Sequence, residues 1–180
     1  SDQETCSTTA YPSGQWYHLM VRFDSGVSRL YINGQYGGGA WDNWRGAGQY
    51  GVTLGGGFSG LLDDFRIPYN GGVAAITQMA AAAPLGLLHL DERGKVTSFI
   101  NVGGATATCS GALCPIGGQK GRVGQAARFD GIDDGLSIPH SAALNLSAYT
   151  LAAWVKPMAG QNASGLQTLV AKADGGYRNY

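Results

Sequence analysis

Side-chain catalysis needs groups matched in type and spacing, and this chain offers few. Glycosidic hydrolysis needs an acid and a second carboxylate flanking the scissile bond. Only two glutamates are present, Glu4 and Glu92, at unrelated positions. No Gly-x-Ser-x-Gly nucleophile elbow occurs, and no His-Glu-x-x-His pair. His18, His89 and His140 stand alone, and each reads as structural rather than as a general base. Asp130-Gly-Ile-Asp-Asp134 looks like a calcium loop but lacks the rest of the EF-hand pattern and its closing glutamate.

Three other groups could carry chemistry. In Leu62-Asp-Asp-Phe-Arg-Ile67, strand alternation puts Asp63 on the face of Phe65 and Ile67. An inward carboxylate is costly unless paired, hydrogen-bonded or bound to metal. Cys109 and Cys114 are close enough to close a small loop. They read as a disulfide, which implies an oxidising compartment. The rival is a pair of metal thiolates, but no further Cys or suitably spaced His completes a zinc set. Cys6 is left over, free or paired outside the chain. Tyr36, Trp41, Trp44 and Tyr50 sit among glycines with Asp42, Asn43 and Arg45. Exposed aromatics can stack on sugars, anchor a neighbouring module or subunit, or pack locally, and all three readings stay open. Trp16 and Trp154 lie within strand patterns and are expected in the core.

These groups need strands to position them. Gln15–Asp24 alternates apolar and polar through its second half, as a half-buried strand does. Ser28–Ile32 is a second strand, and Asn33-Gly34 suits a tight hairpin turn into Gln35-Tyr36. Gly37–Gly51 reads as a long loop. Val52–Leu54 and Leu61–Ile67 are strands, the latter stopped by Pro68. Val73–Ala83 is Ala-rich, with no internal Gly or Pro, and is the one expected helix. Ala80–Pro84 reads as a linker. Strands resume at Leu87–Leu90, Ala126–Phe129, Leu136–Ile138, Tyr149–Val155 and Thr168–Ala171, with Gly103–Gly121 a glycine-rich loop. Strand after strand with glycine turns points to an antiparallel sandwich.

Composition agrees. Hydrophobic residues make up 44% of 180, enough for a core, while charged residues are only 13% and glycines number 30. Lys plus Arg total 12 against 12 Asp plus Glu, so there is no basic surplus to attract nucleic acid. No stretch is long and apolar enough to span a membrane. Ser1-Asp2-Gln3-Glu4 does not read as a signal peptide. Asn145-Leu-Ser147 and Asn162-Ala-Ser164 are glycosylation sequons.

Gln15-Trp-Tyr-His-Leu19, Leu30-Tyr-Ile-Asn-Gly34, Leu54-Gly-Gly56 and Leu62–Ile67 resemble the closing half of laminin G-like jelly rolls of the concanavalin A-like superfamily. Ala126–Asp134, Leu144–Ser147, Tyr149–Pro157 and Leu169–Lys172 resemble the opening half. The resemblance implies an all-β, two-sheet antiparallel sandwich, with the one helix near a module boundary. It divides the chain into a C-terminal half-module at 1–83 and an N-terminal half-module at 84–180. The closing half therefore comes first. The chain is a window on a tandem array, a circular permutant, or a pair of half-sandwiches completed by neighbouring copies. Related jelly rolls often carry calcium where first and last strands meet, which makes Asp63, Asp91 and Asn101 the candidate ligands. The alternative is that Asp63 accepts backbone N–H bonds and Asp91 caps a strand end. Superfamily glucanases use paired glutamates on one strand, a motif this chain lacks. The expectation is a non-catalytic structural or adhesive module of an extracellular protein or filament, partnered by copies of itself or adjacent modules. The alternative is a lectin-like carbohydrate-binding module.

Overall fold

The computed structural model describes residues 10–41, 50–68, 84–159, 167–174 and 177–178. The chain opens with a three-stranded meander, β1 (Tyr17–Asp24), β2 (Val27–Ile32) and β3 (Gln35–Trp41). Both connections are two-residue turns with positive φ at each position: Ser25 and Gly26 at 53° and 76°, Asn33 and Gly34 at 51° and 79°. That pair of angles matches the twist of the flanking strands. Asn33 adds a tie, its Oδ1 accepting from the His18 N–H at 2.8 Å. The expected loop from Gly37 is strand as far as Trp41, because the β2 ladder continues to Val27 opposite Trp41.

There follow β4 (Val52–Leu54), β5 (Ser59–Pro68), β6 (Pro84–Leu88), β7 (Gly94–Lys95), β8 (Ser98–Phe99), β9 (Asn101–Val102) and β10 (Ala107–Thr108). Then come β11 (Ile116–Lys120), β12 (Gln125–Asp130), β13 (Leu136–Ile138), β14 (Tyr149–Pro157), β15 (Val170–Ala171), β16 (Ala173–Asp174) and β17 (Tyr177–Arg178). Pro84, expected in a linker, opens β6, and the glycine-rich stretch 103–121 contains β10, a 3-10 turn at Gly111–Leu113 and β11. The expected helix at Val73–Ala83 lies outside the described residues.

The larger sheet runs β3-β2-β1-β14-β5-β12-β11-β7, with β6 also on β5 and β9 on β6. The smaller runs β15-β4-β13-β10-β8, and β16 pairs β17. All described pairings are antiparallel. The fold is thus the expected all-β, two-sheet antiparallel jelly-roll sandwich. Strands from before residue 69 and from after residue 83 are combined in both sheets. β14 lies between β1 and β5, setting Met20 opposite Ala152 and Val155 opposite Leu62. β13 pairs β4 in the second sheet. Each stretch alone would leave its apolar face wet, at roughly 1.5–3 kcal/mol per large side chain. Here the two cover each other, with Phe23, Leu54, Leu62, Phe65, Phe99, Phe129, Leu136 and Val155 between the sheets. Gly55 (φ +84°) makes room for this core, since a Cβ there would lie 2.1 Å from the Phe129 ring.

One alternation-based expectation, for Asp63, fails at an irregularity in β5. Asp63 pairs with Trp154 and Arg66 with Ala152, so Asp64 and Phe65 together oppose Ala153. Asp64 takes a left-handed φ of 53°. This bulge inserts one residue and resets the alternation. Leu62, Phe65 and Ile67 then all reach the core, and Asp63 turns to the opposite face of the sheet. Trp154 shares that outer face, because its neighbour Val155 occupies the core. It is half-buried rather than a core residue, and Trp16, also half-buried, precedes β1.

Candidate functional site

The outer face of the larger sheet carries a row of groups from three strands, His18 on β1, Trp154 on β14 and Asp63 on β5, in direct register. The His18 and Trp154 rings meet edge to face at 5.1 Å. Arg122, in the turn between β11 and β12, lays its guanidinium 5.1 Å from the centroid of the same indole. Asp63 fixes that turn. Its Oδ2 accepts the backbone N–H groups of Arg122 at 2.6 Å and Val123 at 2.8 Å. Gly121 is needed for the approach, because a Cβ there would lie 2.7 Å from the carboxylate. Asp91 holds the other end through the Gln125 N–H at 2.5 Å. Gly124 (φ +68°) leaves room for it, as a Cβ there would come within 2.7 Å of Asp91.

Asp63 is fully buried, and among the described residues its Oδ1 has no hydrogen-bond partner. Burial pushes its carboxyl up to about 6, against the pull of the Val123 and Arg122 N–H groups and with a further push from Asp64 and Asp91. Burial also lowers the His18 imidazole, helped by Arg66 and opposed by Asp64. Asp64 itself bridges two partners, Arg66 Nη2 at 2.8 Å and His89 Nδ1 at 3.0 Å.

The candidate calcium ligands do not form one donor set. Asp63 and Asp91 grip the same turn, whereas Asn101 lies on β9, its Oδ1 accepting from the Leu87 N–H at 2.8 Å and its Nδ2 donating to the Ala105 carbonyl at 2.9 Å. The turn from Asp130 to Asp134 brings three carboxylates together instead. One oxygen each from Asp130, Asp133 and Asp134 lies within 4.8 Å of the others. This turn is not a hairpin: β12 belongs to the larger sheet and β13 to the smaller, so it carries the chain across the sandwich. Asp134 Oδ2 accepts the Asp130 N–H, and Asp130 Oδ1 accepts the Ile132 N–H. Burial raises the Asp134 carboxyl. At Asp130 burial also pushes upward, but the N–H groups of Ile132, Asp133 and Asp134 outweigh it and the carboxyl falls. These hard oxygens match calcium in type, though two already serve the backbone.

Of the aromatic candidates, Tyr36 is exposed and meets Tyr31 edge to face at 5.7 Å. Trp41 ends β3, Tyr50 is half-buried beside β4, and Trp44 lies outside the described residues. The Tyr50 carbonyl is 3.3 Å from His140 Nδ1. Cys109 and Cys114 form the expected disulfide around the 3-10 turn, with Cα atoms 5.2 Å apart. Cys6, Glu4 and Asn162 lie outside the described residues, and Asn145 accepts from the buried Lys172 ammonium at 3.0 Å. No helix among the described residues is long and apolar enough to cross a membrane.

Sequence reasoning missed an apolar groove lined by residues of the larger sheet and by Leu169 and Val170. Leu19, Val21 and Leu30 from the meander face Leu169 and Val170 across about 290 Å³. Its signal was available in the inward alternation of β1 and β2, whose cover the sequence does not name.

Residues 1–71 match the family model of the Concanavalin A-like lectin/glucanases superfamily, Laminin_G_3. No curated protein and no solved structure gives a match. The matched stretch holds β1 to β5, which supply the meander, the central strand of the larger sheet and a strand of the smaller. Residues 1–71 are therefore laminin G-like sequence of the concanavalin A-like lectin/glucanase superfamily, built into a two-sheet antiparallel sandwich.

Proposed function

We propose that the chain is a non-catalytic structural or adhesive module of an extracellular surface protein or filament, packed in series with like modules or with copies of itself. The groove carries this reading. Leu19, Val21 and Leu30 are only half-buried, and among the described residues β3 and β15 are the edge strands of their sheets. Covering apolar surface is worth about 25 cal/mol per Å², and an unpaired strand edge accepts a further strand. A second copy or an adjacent module supplies both. The disulfide supports an oxidising, extracellular setting. The carboxylates of Asp63, Asp64 and Asp91 are engaged with backbone or side-chain partners, which suits structural roles rather than an acid–base pair. Calcium enters this reading as a structural ion at Asp130, Asp133 and Asp134; a calcium titration that leaves the melting temperature unchanged removes it.

The test is light scattering across concentration, with electron microscopy of the same material. Concentration-dependent association that Leu30→Lys abolishes, in a variant with native circular dichroism, is the expected result. A well-folded monomer at every concentration overturns the reading.

A further inference from the structure

Lys172 is buried to 1% exposure, an unusual place for an ammonium. It directly follows β15 of the smaller sheet. Its Nζ donates to Asn145 Oδ1 at 3.0 Å. Asn145 closes a 3-10 turn at Ala142–Leu144, on the connection that carries the chain from β13 in the smaller sheet to β14 in the larger. The turn fixes its backbone. Ser141 Oγ accepts the Ala143 N–H at 3.3 Å, and the Asn145 N–H donates to the Ala142 carbonyl at 3.1 Å. Both residues stand among apolar neighbours: Leu144 belongs to the core, and Leu146, Leu169 and Val170 pack against it.

This setting acts on the amine and on the amide. An apolar environment disfavours the charged form, and burial lowers the Lys172 pKa from its ordinary value. The neutral amine is a nucleophile, and the carboxamide it meets is an electrophile. A nitrogen 3.0 Å from Oδ1 is further from Cγ by at most one C=O bond length, about 1.2 Å. Groups held this way react as one molecule, with effective molarities on the order of 10⁵ M or more when well oriented.

We propose that Lys172 and Asn145 join in an intramolecular isopeptide bond. Nζ adds to Cγ, the Cγ–Nδ2 bond breaks, and the proton that Nζ gives up leaves with Nδ2 as ammonia. The product is a secondary amide, and no oxidant, reductant or further reactant enters. The bond closes a ring between residues 27 apart, and the ring contains β14 of the larger sheet and β15 of the smaller. A pull entering the chain beyond Lys172 passes through the bond to Asn145 and bypasses both strands. Asn145 also opens the sequon Asn145-Leu-Ser147, and a carboxamide consumed by Lys172 is closed to glycan. The bond does not depend on packing against like modules, because both of its partners lie in one chain.

The test is the mass of the whole chain, folded and then reduced and denatured. It is expected to be one ammonia lighter than the sequence requires. Trypsin should leave the chain uncut after Lys172 and yield one branched peptide carrying both residues. That peptide separates the product from a succinimide at Asn33-Gly34, which sheds ammonia without joining two peptides. Lys172→Arg and Asn145→Ala should each restore the full mass. A folded wild-type chain of full mass that trypsin cuts after Lys172 overturns the proposal and leaves the contact a hydrogen bond. Ammonia loss confined to Asn33, or glycan on Asn145, overturns it as well.

Discussion

Asp63→Asn separates the charge of the buried carboxylate from its shape. Asparagine keeps one oxygen for the Arg122 and Val123 N–H groups, so the turn retains its anchor. The carboxyl stands at about 6 in the folded protein against 3.8 for the free group. That difference of about 2 pH units, at about 1.4 kcal/mol per unit, comes to about 3 kcal/mol. Because the folded value is the higher one, the native state binds the proton more tightly than the unfolded chain. The stabilisation from this group is therefore complete below about pH 4 and is lost as the pH rises through about 6. Burial also raises the Asp134 carboxyl, which acts in the same sense, so the informative quantity is the difference between wild type and variant. Urea unfolding at intervals from about pH 4 to about pH 8 measures it. The wild type should lose about 3 kcal/mol relative to Asp63→Asn across that interval, chiefly between about pH 4 and about pH 6. A difference that stays flat with pH, or one that moves in the wild type's favour as pH rises, refutes the burial argument.

Two further outcomes test the scaffold. Phe129, fully buried between the sheets and 6.3 Å from Phe58, should cost about 3–5 kcal/mol when replaced by alanine, read by urea unfolding. Cys109→Ser, with Cys114→Ser beside it to avoid a free thiol, should cost about 2 kcal/mol because the closed loop is short; thermal melts with and without reductant check this, and reductant should shift only the wild type.

Much of the scaffold was legible because its signals are local. Asn33-Gly34 is a turn on its own account, since two consecutive positive φ angles are costly for most other residues. Val52–Leu54, Leu136–Ile138 and the body of β14 follow from period-two alternation, and the disulfide from two cysteines five residues apart. The short strands β10 and β11 were hidden by glycine, which carries no alternation to read. The candidate site was less legible. Asp63 did prove buried, and its burden is met by backbone N–H groups from about sixty residues away, a partnership no local pattern announces.

The sequence by itself determined the fold class, the tight turns and the laminin G-like stretch at 1–71, because alternation, turn geometry and side-chain volume act within a few residues. The tertiary structure decided which strands meet, which way Asp63 and Trp154 face, and where carboxylates and cations gather. Those depend on how β14 inserts between β1 and β5 and on one left-handed residue at Asp64. A single inserted residue reverses every side chain beyond it, and only the partner strand fixes where the insertion falls.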